Sequence, residues 1–579
     1  MNRRKRSLGA LGLVLVVVSV TAGSCENGRP ITVTGLEPVQ VQASDERELS
    51  GFAPMVRENA RFELPAGAAS TVKITIESLG EYGGKTCRLS LGGEFEFTLT
   101  EVRAPSGPAP ARVPGTFTGV FPMPALAPGQ SATATLECDE ASGQYGERAV
   151  DFDIVTSRTA AVTPTTTPTP SRTAAASTAV PANTPVSTDQ FSIGLAPEVT
   201  GTPGVAAGYI RLWDMATAWK DVNPSPGVFN WTVLDQRVAQ TQASGAKVLY
   251  VAGLTPSWAA SGGDCDPRWG AASCTPPADP TTYSNYITAV MQRYGGAIGA
   301  VEVWNEANLR TFWSGSAEQM ADLTQRASQA VKAVSPGTVV LAASSTTRLT
   351  GPVRTFFGPY AAALKTRGYP IDAWSIHSYP AGDAGPAGRS AGITTWKAQL
   401  ATSTGNDPAA MRKGIWDTEI NYGLAGPGAT PGTAFGPEDG AAILARTYVD
   451  SVRLGIGSTF WYLWTAGPYS LVGIQLHTGT TATIAAYNQA RSWLGGTTFK
   501  GCDETATKVV RCYFTKDGGD AFYLAMTASG APVGYRAGSI AGEGVLGEQY
   551  PAGAIVQVGQ GPVKFTCGAA VNPSLCRLG

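Results

Sequence analysis

The spacing of apolar and polar residues changes twice along the 579-residue chain. Between residues 26 and 157, short runs such as "STVKITIESL", "GEFEFTLTEV", "SATATLECD" and "RAVDFDIVT" alternate apolar and polar positions. A period of two is the mark of half-buried strands, so this segment is expected to form an N-terminal β-sandwich. From 190 to 496, compact apolar runs alternate with segments of helical period. The runs are "FSIGL", "GYIRLWD", "KVLYVAGL", "VEVWNE", "TVVLAAS", "WSIHSY", "GIWDTEINY" and "STFWYLW". Between them, Tyr283, Tyr286, Ile287, Val290, Met291 and Tyr294 fall on one helical face. Met320, Leu323, Ala327, Val331 and Val334 form a second stripe. Ser316 and Gln319 are spaced as a capping box ahead of that stripe, and Pro336 with Gly337 ends it. Eight strand–helix units predict a (β/α)8 TIM barrel. A doubly wound open sheet is the alternative, but no glycine-rich phosphate loop follows the first strand. Residues 497–579 turn strand-rich again, in "KVVRCYF", "DAFYLAMT" and "GAIVQVG", and predict a small C-terminal β-sandwich on the barrel.

Composition sharpens this multidomain picture. Residues 158–189 are rich in Thr, Pro, Ala and Ser and have too few large apolar side chains for a core, so they read as a disordered, extended linker. The first 25 residues carry Arg3, Arg4, Lys5 and Arg6, then an apolar stretch from Leu8 to Val20, then "TAGSC". This is the layout of an export signal, with a lipobox-like Cys25 that a lipid would modify; Ala22 stands where such motifs usually have Leu. The nine cysteines fit that reading. Eight fall into local pairs, Cys87/Cys138, Cys265/Cys274, Cys502/Cys512 and Cys567/Cys576, expected as disulfides in an exported protein. Cys25 is the one left over. The chain is therefore expected at the cell surface, membrane-bound through a lipid if Cys25 is modified, and monomeric. With 43 basic and 44 acidic residues, nothing points to nucleic acid. With two histidines and no CxxC spacing, neither a metal nor a cofactor is expected.

Candidate chemistry lies where barrel strands end. Glu306 closes the fourth run and Glu419 lies in the seventh, so barrel geometry would set both carboxyls over the mouth. Two facing carboxyls, one protonated and one ionised, are the minimum equipment for glycoside hydrolysis. The segments "EVWNEAN", "WDTEINY", "YIRLWD" and "FWYLW", with "RLWDMATAWKDVNPSPGVFNWTVLD", resemble clan A glycoside hydrolases, family 39 most closely, over about 190–496. The resemblance implies a retaining enzyme with Glu306 as acid/base and Glu419 as nucleophile. It implies that Asn305 binds the sugar 2-hydroxyl and that Arg211 holds Glu419 ionised. It places His377 and Tyr379 near the nucleophile and Trp464 as the floor under the sugar. On strand parity, Glu302, Trp304 and Glu306 are expected to face the barrel axis, with the apolar strand keeping Glu306 protonated. Glu302 and Asp417 are expected deeper in the barrel with structural partners. Trp258, Trp269 and Trp313 lie in loops after the third and fourth strands and are candidate platforms for further sugars. A Cys265–Cys274 disulfide would fix the first of these loops.

The function expected is retaining, endo-acting hydrolysis of a cell-wall, capsular or plant polysaccharide or oligosaccharide. An exo-acting β-xylosidase-like or arabinofuranosidase-like glycosidase is the alternative among enzymes. A catalytically inactive carbohydrate-binding surface lipoprotein is the alternative outside them.

Overall fold

A computed structural model describes residues 183–380, 384–424, 433–516 and 521–567, together with the strand backbone of the segment 31–156. Cys25, Cys576 and most of the linker lie outside the described residues.

The N-terminal segment forms two sheets. One orders the strands Ile31–Val39, Ser70–Ser78, Gly115–Met123 and Thr100–Arg103; the other orders Ala60–Leu64, Val150–Thr156, Ser131–Cys138, Thr86–Ser90 and Glu94–Thr98. Cys87 and Cys138 are direct register partners on neighbouring antiparallel strands.

Eight parallel strands close the central barrel: Phe191–Leu195, Tyr209–Leu212, Lys247–Val251, Ile298–Glu302, Val339–Leu341, Ala373–His377, Gly414–Ile420 and Ile456–Trp464. The first pairs with the eighth, and Leu341 of the fifth meets Ala373 of the sixth, which completes the ring. Every strand expected from the sequence is present. Their apolar runs are buried on both faces because helices cover the outside and side chains fill the inside. Tyr209, Leu249, Ala300, Leu341, Ala373 and Phe460 form one such interior layer. The helix Pro280–Tyr294 buries the six residues of its expected stripe. The helix Ala317–Val334 carries the Ser316/Gln319 capping box, although Val334 is exposed at its last turn.

The C-terminal strands form a seven-stranded sheet with a two-stranded ribbon, Val533–Arg536 and Ile555–Val558, over one face. Tyr513, Tyr523, Phe565 and Val556 pack between sheet and ribbon. Phe514, Phe522, Leu524 and Met526 point the other way and merge with the barrel core. The two layers make the expected sandwich-like domain. Thr184–Val186, within the stretch read as linker, is the edge strand of this sheet: it pairs with Thr497–Phe499 and buries Val186. Cys502 is bonded to Cys512 and Cys265 to Cys274, and Cys567 is also disulfide-bonded. Among the described residues, no helix is long and apolar enough to cross a membrane, and no cluster of side chains could hold a metal ion.

Candidate active site

The site is built at the C-terminal mouth of the barrel around Arg211, the third residue of the second strand. Arg211 is 2% exposed, and its fork reaches three acceptors. Nε donates to Glu302 Oε2 at 2.7 Å and Nη2 to Asn305 Oδ1 at 2.8 Å, while Nη1 donates to Glu419 Oε1. One planar guanidinium thus fixes residues from the fourth and seventh strands at once.

His377 ends the sixth strand and is fully buried. Its Nδ1 lies 3.1 Å from Glu306 Oε1 and 3.4 Å from Glu419 Oε2. Both carboxyls therefore share one nitrogen, and their nearest oxygens are separated by about 6.5 Å at most, the sum of 3.1 and 3.4 Å. Tyr379 donates its hydroxyl to Glu419 Oε2 at 2.8 Å. The backbone N–H of Glu306 donates to Ser344 Oγ at 2.9 Å. Glu306 has φ of 39°, so the chain turns sharply there and sends the carboxyl back over the mouth. The fourth strand ends at Glu302, and Asn305 and Glu306 belong to the loop that follows.

Electrostatics tie the cluster together. Burial pushes Glu302 up, but Arg211 and His377 outweigh it and hold the carboxyl at about 2. Burial pushes His377 down, yet Glu419, Glu302 and Glu306 together lift it to about 10, so it is an imidazolium at neutral pH. Its Nε2 lies 3.5 Å from Arg211 Nη2, a contact between two cations that Glu302 offsets by facing both. Glu302 is closed off by Ser375 Oγ at 3.0 Å and Thr418 Oγ1 at 3.1 Å, as its expected structural role requires.

Asp214, two residues beyond the second strand, was not singled out from the sequence. It has φ of 58°, and its Oδ2 accepts from Tyr462 Oη at 3.1 Å. The Tyr462 ring meets Tyr379 edge to face, 6.1 Å between centroids. Burial first, then Glu419, push the Asp214 carboxyl up to about 7 against the pull of Arg211. The signal was available, since Asp214 ends "YIRLWD" in the position after a barrel strand where functional side chains gather.

Several expected placements are corrected. Trp464 is 3% exposed and packs on Gly204, where a Cβ would come within 2.8 Å of its ring. The cause is an irregular register: Ile193 pairs with Trp461 and Leu195 with Trp464, three residues against two, so alternation breaks and Tyr462 takes the place on the mouth. A similar shift lies between Ile376/His377 and Asp417/Glu419. Asp417 therefore does not share a face with Glu419; it turns outward to Arg389 Nη2 at 2.7 Å, on the helix Gly385–Thr404. Trp304 does not face the axis either, because the strand has already ended. It packs on Tyr283 and Trp313 and donates to Phe312 O. Trp313 is 2% exposed and offers no free face. Trp258 stands edge-on to Trp219 and donates to Asn223 O. Trp269 stacks on Trp213 at 5.5 Å and lies 5.2 Å from Phe312, while Trp213 stands under the Arg211 guanidinium. The disulfide-closed loop thus leans on the site through one half-buried tryptophan.

No protein-family model matches the sequence, and no curated protein matches it. Among solved structures, the chain is similar to a glucosidase from Croceicoccus marinus, with 15% identity over 65% of this chain and 83% of that one, TM-score 0.45. It is similar to the GH39 enzyme from Xanthomonas axonopodis pv. citri, with 18% identity over 59% and 73%, TM-score 0.41. It is also similar to the catalytic domain of GH30 xylanase C from Talaromyces cellulolyticus, with 13% identity over 66% and 98%, TM-score 0.43.

Proposed function

We propose that the chain is a retaining glycoside hydrolase with Glu419 as nucleophile and Glu306 as acid/base. The observation that carries this reading is the shared nitrogen of His377. It keeps the nearest oxygens of the two carboxyls no more than about 6.5 Å apart, a limit that accommodates the roughly 5–5.5 Å separation at which one carboxylate attacks the anomeric carbon directly. Glu419 is oriented by Arg211 and Tyr379, which donate to its two oxygens and aim the carboxylate for attack. Among the described residues Glu306 contacts no arginine or lysine, and 15% of its side chain stays open to the mouth, where a leaving oxygen would lie. In the first step Glu419 bonds to the anomeric carbon while Glu306 gives its proton to the departing oxygen. In the second, Glu306 takes a proton from water, which attacks the same carbon and releases Glu419. Asn305 has its Oδ1 held by Arg211, so its NH2 end is left to face a sugar hydroxyl.

The substrate class we propose is a polysaccharide or oligosaccharide met outside the cell. The reading includes export, with Cys25 lipidated and the barrel spaced from the surface. The buried faces of Trp313 and Trp464 withdraw the argument for a long aromatic groove, so product chain lengths must decide between endo and exo action. A 2-fluoro glycoside should label Glu419 and no other residue in a digest read by mass spectrometry, and Glu419→Gln should lower turnover at least about a thousandfold. Label on another carboxylate, or full activity in Glu419→Gln, sinks the assignment.

A further inference from the structure

Four carboxyls meet at the mouth of the barrel, and they are not equally compensated. Glu302 and Glu419 each bond Arg211, and both face His377; Glu306 faces His377. Among the described residues, no cation is bonded to Asp214. Its Oδ2 has the neutral hydroxyl of Tyr462, and its Oδ1 is buried with no hydrogen-bond partner among the described residues. Asp214 nonetheless lies near enough to the group to feel the charges of Glu419, Arg211 and Glu306. Tyr462 links it to Tyr379, and Tyr379 donates to Glu419. It is held there in the left-handed backbone region, an uncommon conformation for a residue other than glycine.

At pH 7 Asp214 is about half ionised; that charge, left without a counter-charge beside other acids, attracts cations and repels anions, and a bound ammonium would draw the rest of Asp214 into the ionised form. The two cations present are already engaged by the other three carboxyls. A ligand ammonium would supply the partner that Asp214 lacks, and a ligand carboxylate would add a fifth acid to the group.

We propose that Asp214 is a specificity-determining residue of the sugar pocket, which favours amine-bearing glycones over neutral ones and rejects uronic acids. This inference rests on the glycosidase reading for the location of the pocket, but its test is a binding measurement that needs no turnover.

The probes are phenyl 1-thio-β-glycosides, which resist hydrolysis, in gluco and galacto configuration. Each is made as the neutral sugar, the 2-amino-2-deoxy sugar and the uronic acid. Calorimetric titration of the full chain at pH 7 should give, in at least one configuration, tighter binding of the amine than of the neutral sugar. The uronic acid should bind at least tenfold more weakly than the neutral sugar. Asp214→Asn, nearly isosteric, should narrow both gaps severalfold. Tyr462→Phe removes only the hydroxyl donor, leaves the charge in place, and should keep the same order of preference. Equal binding of uronic acid and neutral sugar overturns the inference. So do unchanged ratios in Asp214→Asn, or no binding of any probe. Charge-ordered binding without hydrolysis of any glycoside would refute the glycosidase reading and leave the role of Asp214 standing. Hydrolysis with no dependence of binding on Asp214 would do the reverse.

Discussion

Replacing Arg211 by Met keeps an unbranched stem, though a shorter one, and removes the charge and all five donors. Glu302 suffers most, because its side chain is fully buried. At 2.7 Å the attraction between Arg211 and Glu302 is about 6 kcal/mol at an effective dielectric of about 20. Part of that is recovered, since the guanidinium no longer has to be desolvated, and the net cost of orphaning one half of a buried pair is about 3–5 kcal/mol. The pH dependence gives a second figure. Glu302 is held at about 2 in the fold against an ordinary value of 4.5. A depressed carboxyl contributes stability that is fully present above 4.5 and is lost as pH falls toward 2. The full contribution is about 3 kcal/mol, of which about 2 kcal/mol disappears between pH 7 and pH 3. All 13 tryptophans lie between Trp213 and Trp493, so tryptophan fluorescence during urea unfolding reports the barrel and not the N-terminal sheets. Arg211→Met should lower barrel stability by about 3–5 kcal/mol at pH 7, with the deficit shrinking by about 2 kcal/mol at pH 3. A deficit under about 1 kcal/mol at pH 7, or one that does not change with pH, would refute the reasoning.

Three further outcomes follow from named contacts. Asp214 is raised to about 7 from 3.8, so it binds a proton more tightly in the fold; the wild type should lose stability relative to Asp214→Asn as pH rises from about 4 to 7, by at most about 4 kcal/mol, read as diverging unfolding midpoints. Trp464→Ala should act as a core deletion, costing about 3–5 kcal/mol in urea unfolding; loss of sugar binding with full stability would restore its role as a platform. The double substitution Cys265→Ser with Cys274→Ser opens a small ring and should cost at most roughly 2–3 kcal/mol, while raising KM by loosening Trp269 from Trp213; an unchanged KM would mean the loop does not shape the site.

The barrel was legible because its signal is periodic and local. Each strand is a compact apolar run, and the helices between them carry stripes wide enough to count, as in Tyr283 to Tyr294. The catalytic candidates were legible because they sit at strand ends, where position in the fold constrains what a carboxylate can do. Parity was the part that failed. It assumes a regular strand, and the residues of interest lie where strands stop or slip. The fourth strand ends two residues before Trp304, and the seventh and eighth slip register beside Glu419 and Tyr462. Such irregularities come from packing between neighbours, which no single strand encodes. Asp214 was missed for a related reason: its relation to Glu419 runs through Tyr462 of the eighth strand and Tyr379 just past the sixth, and is visible only once the ring is closed.

The chain is only 15% charged, yet it brings four carboxyls and two cations together in one mouth. Such a density of charge persists only where each cation serves several acids. Arg211 bonds Glu302 and Glu419 and also holds Asn305; His377 faces Glu302, Glu306 and Glu419. Sharing lowers the number of charges that must be desolvated, but it couples them, so that loss of one cation is felt by every acid it serves. It also separates the acids by role. Glu302 is enclosed by donors and has no room for a ligand. Glu419 is held by two donors and open at its edge, and Glu306 leans on His377 alone. The gradient from most to least enclosed runs from Glu302 through Glu419 to Glu306, the order in which the proposed mechanism makes them structural anion, nucleophile and acid/base. On the proposed mechanism the shared guanidinium would be as much a part of the chemistry as either glutamate.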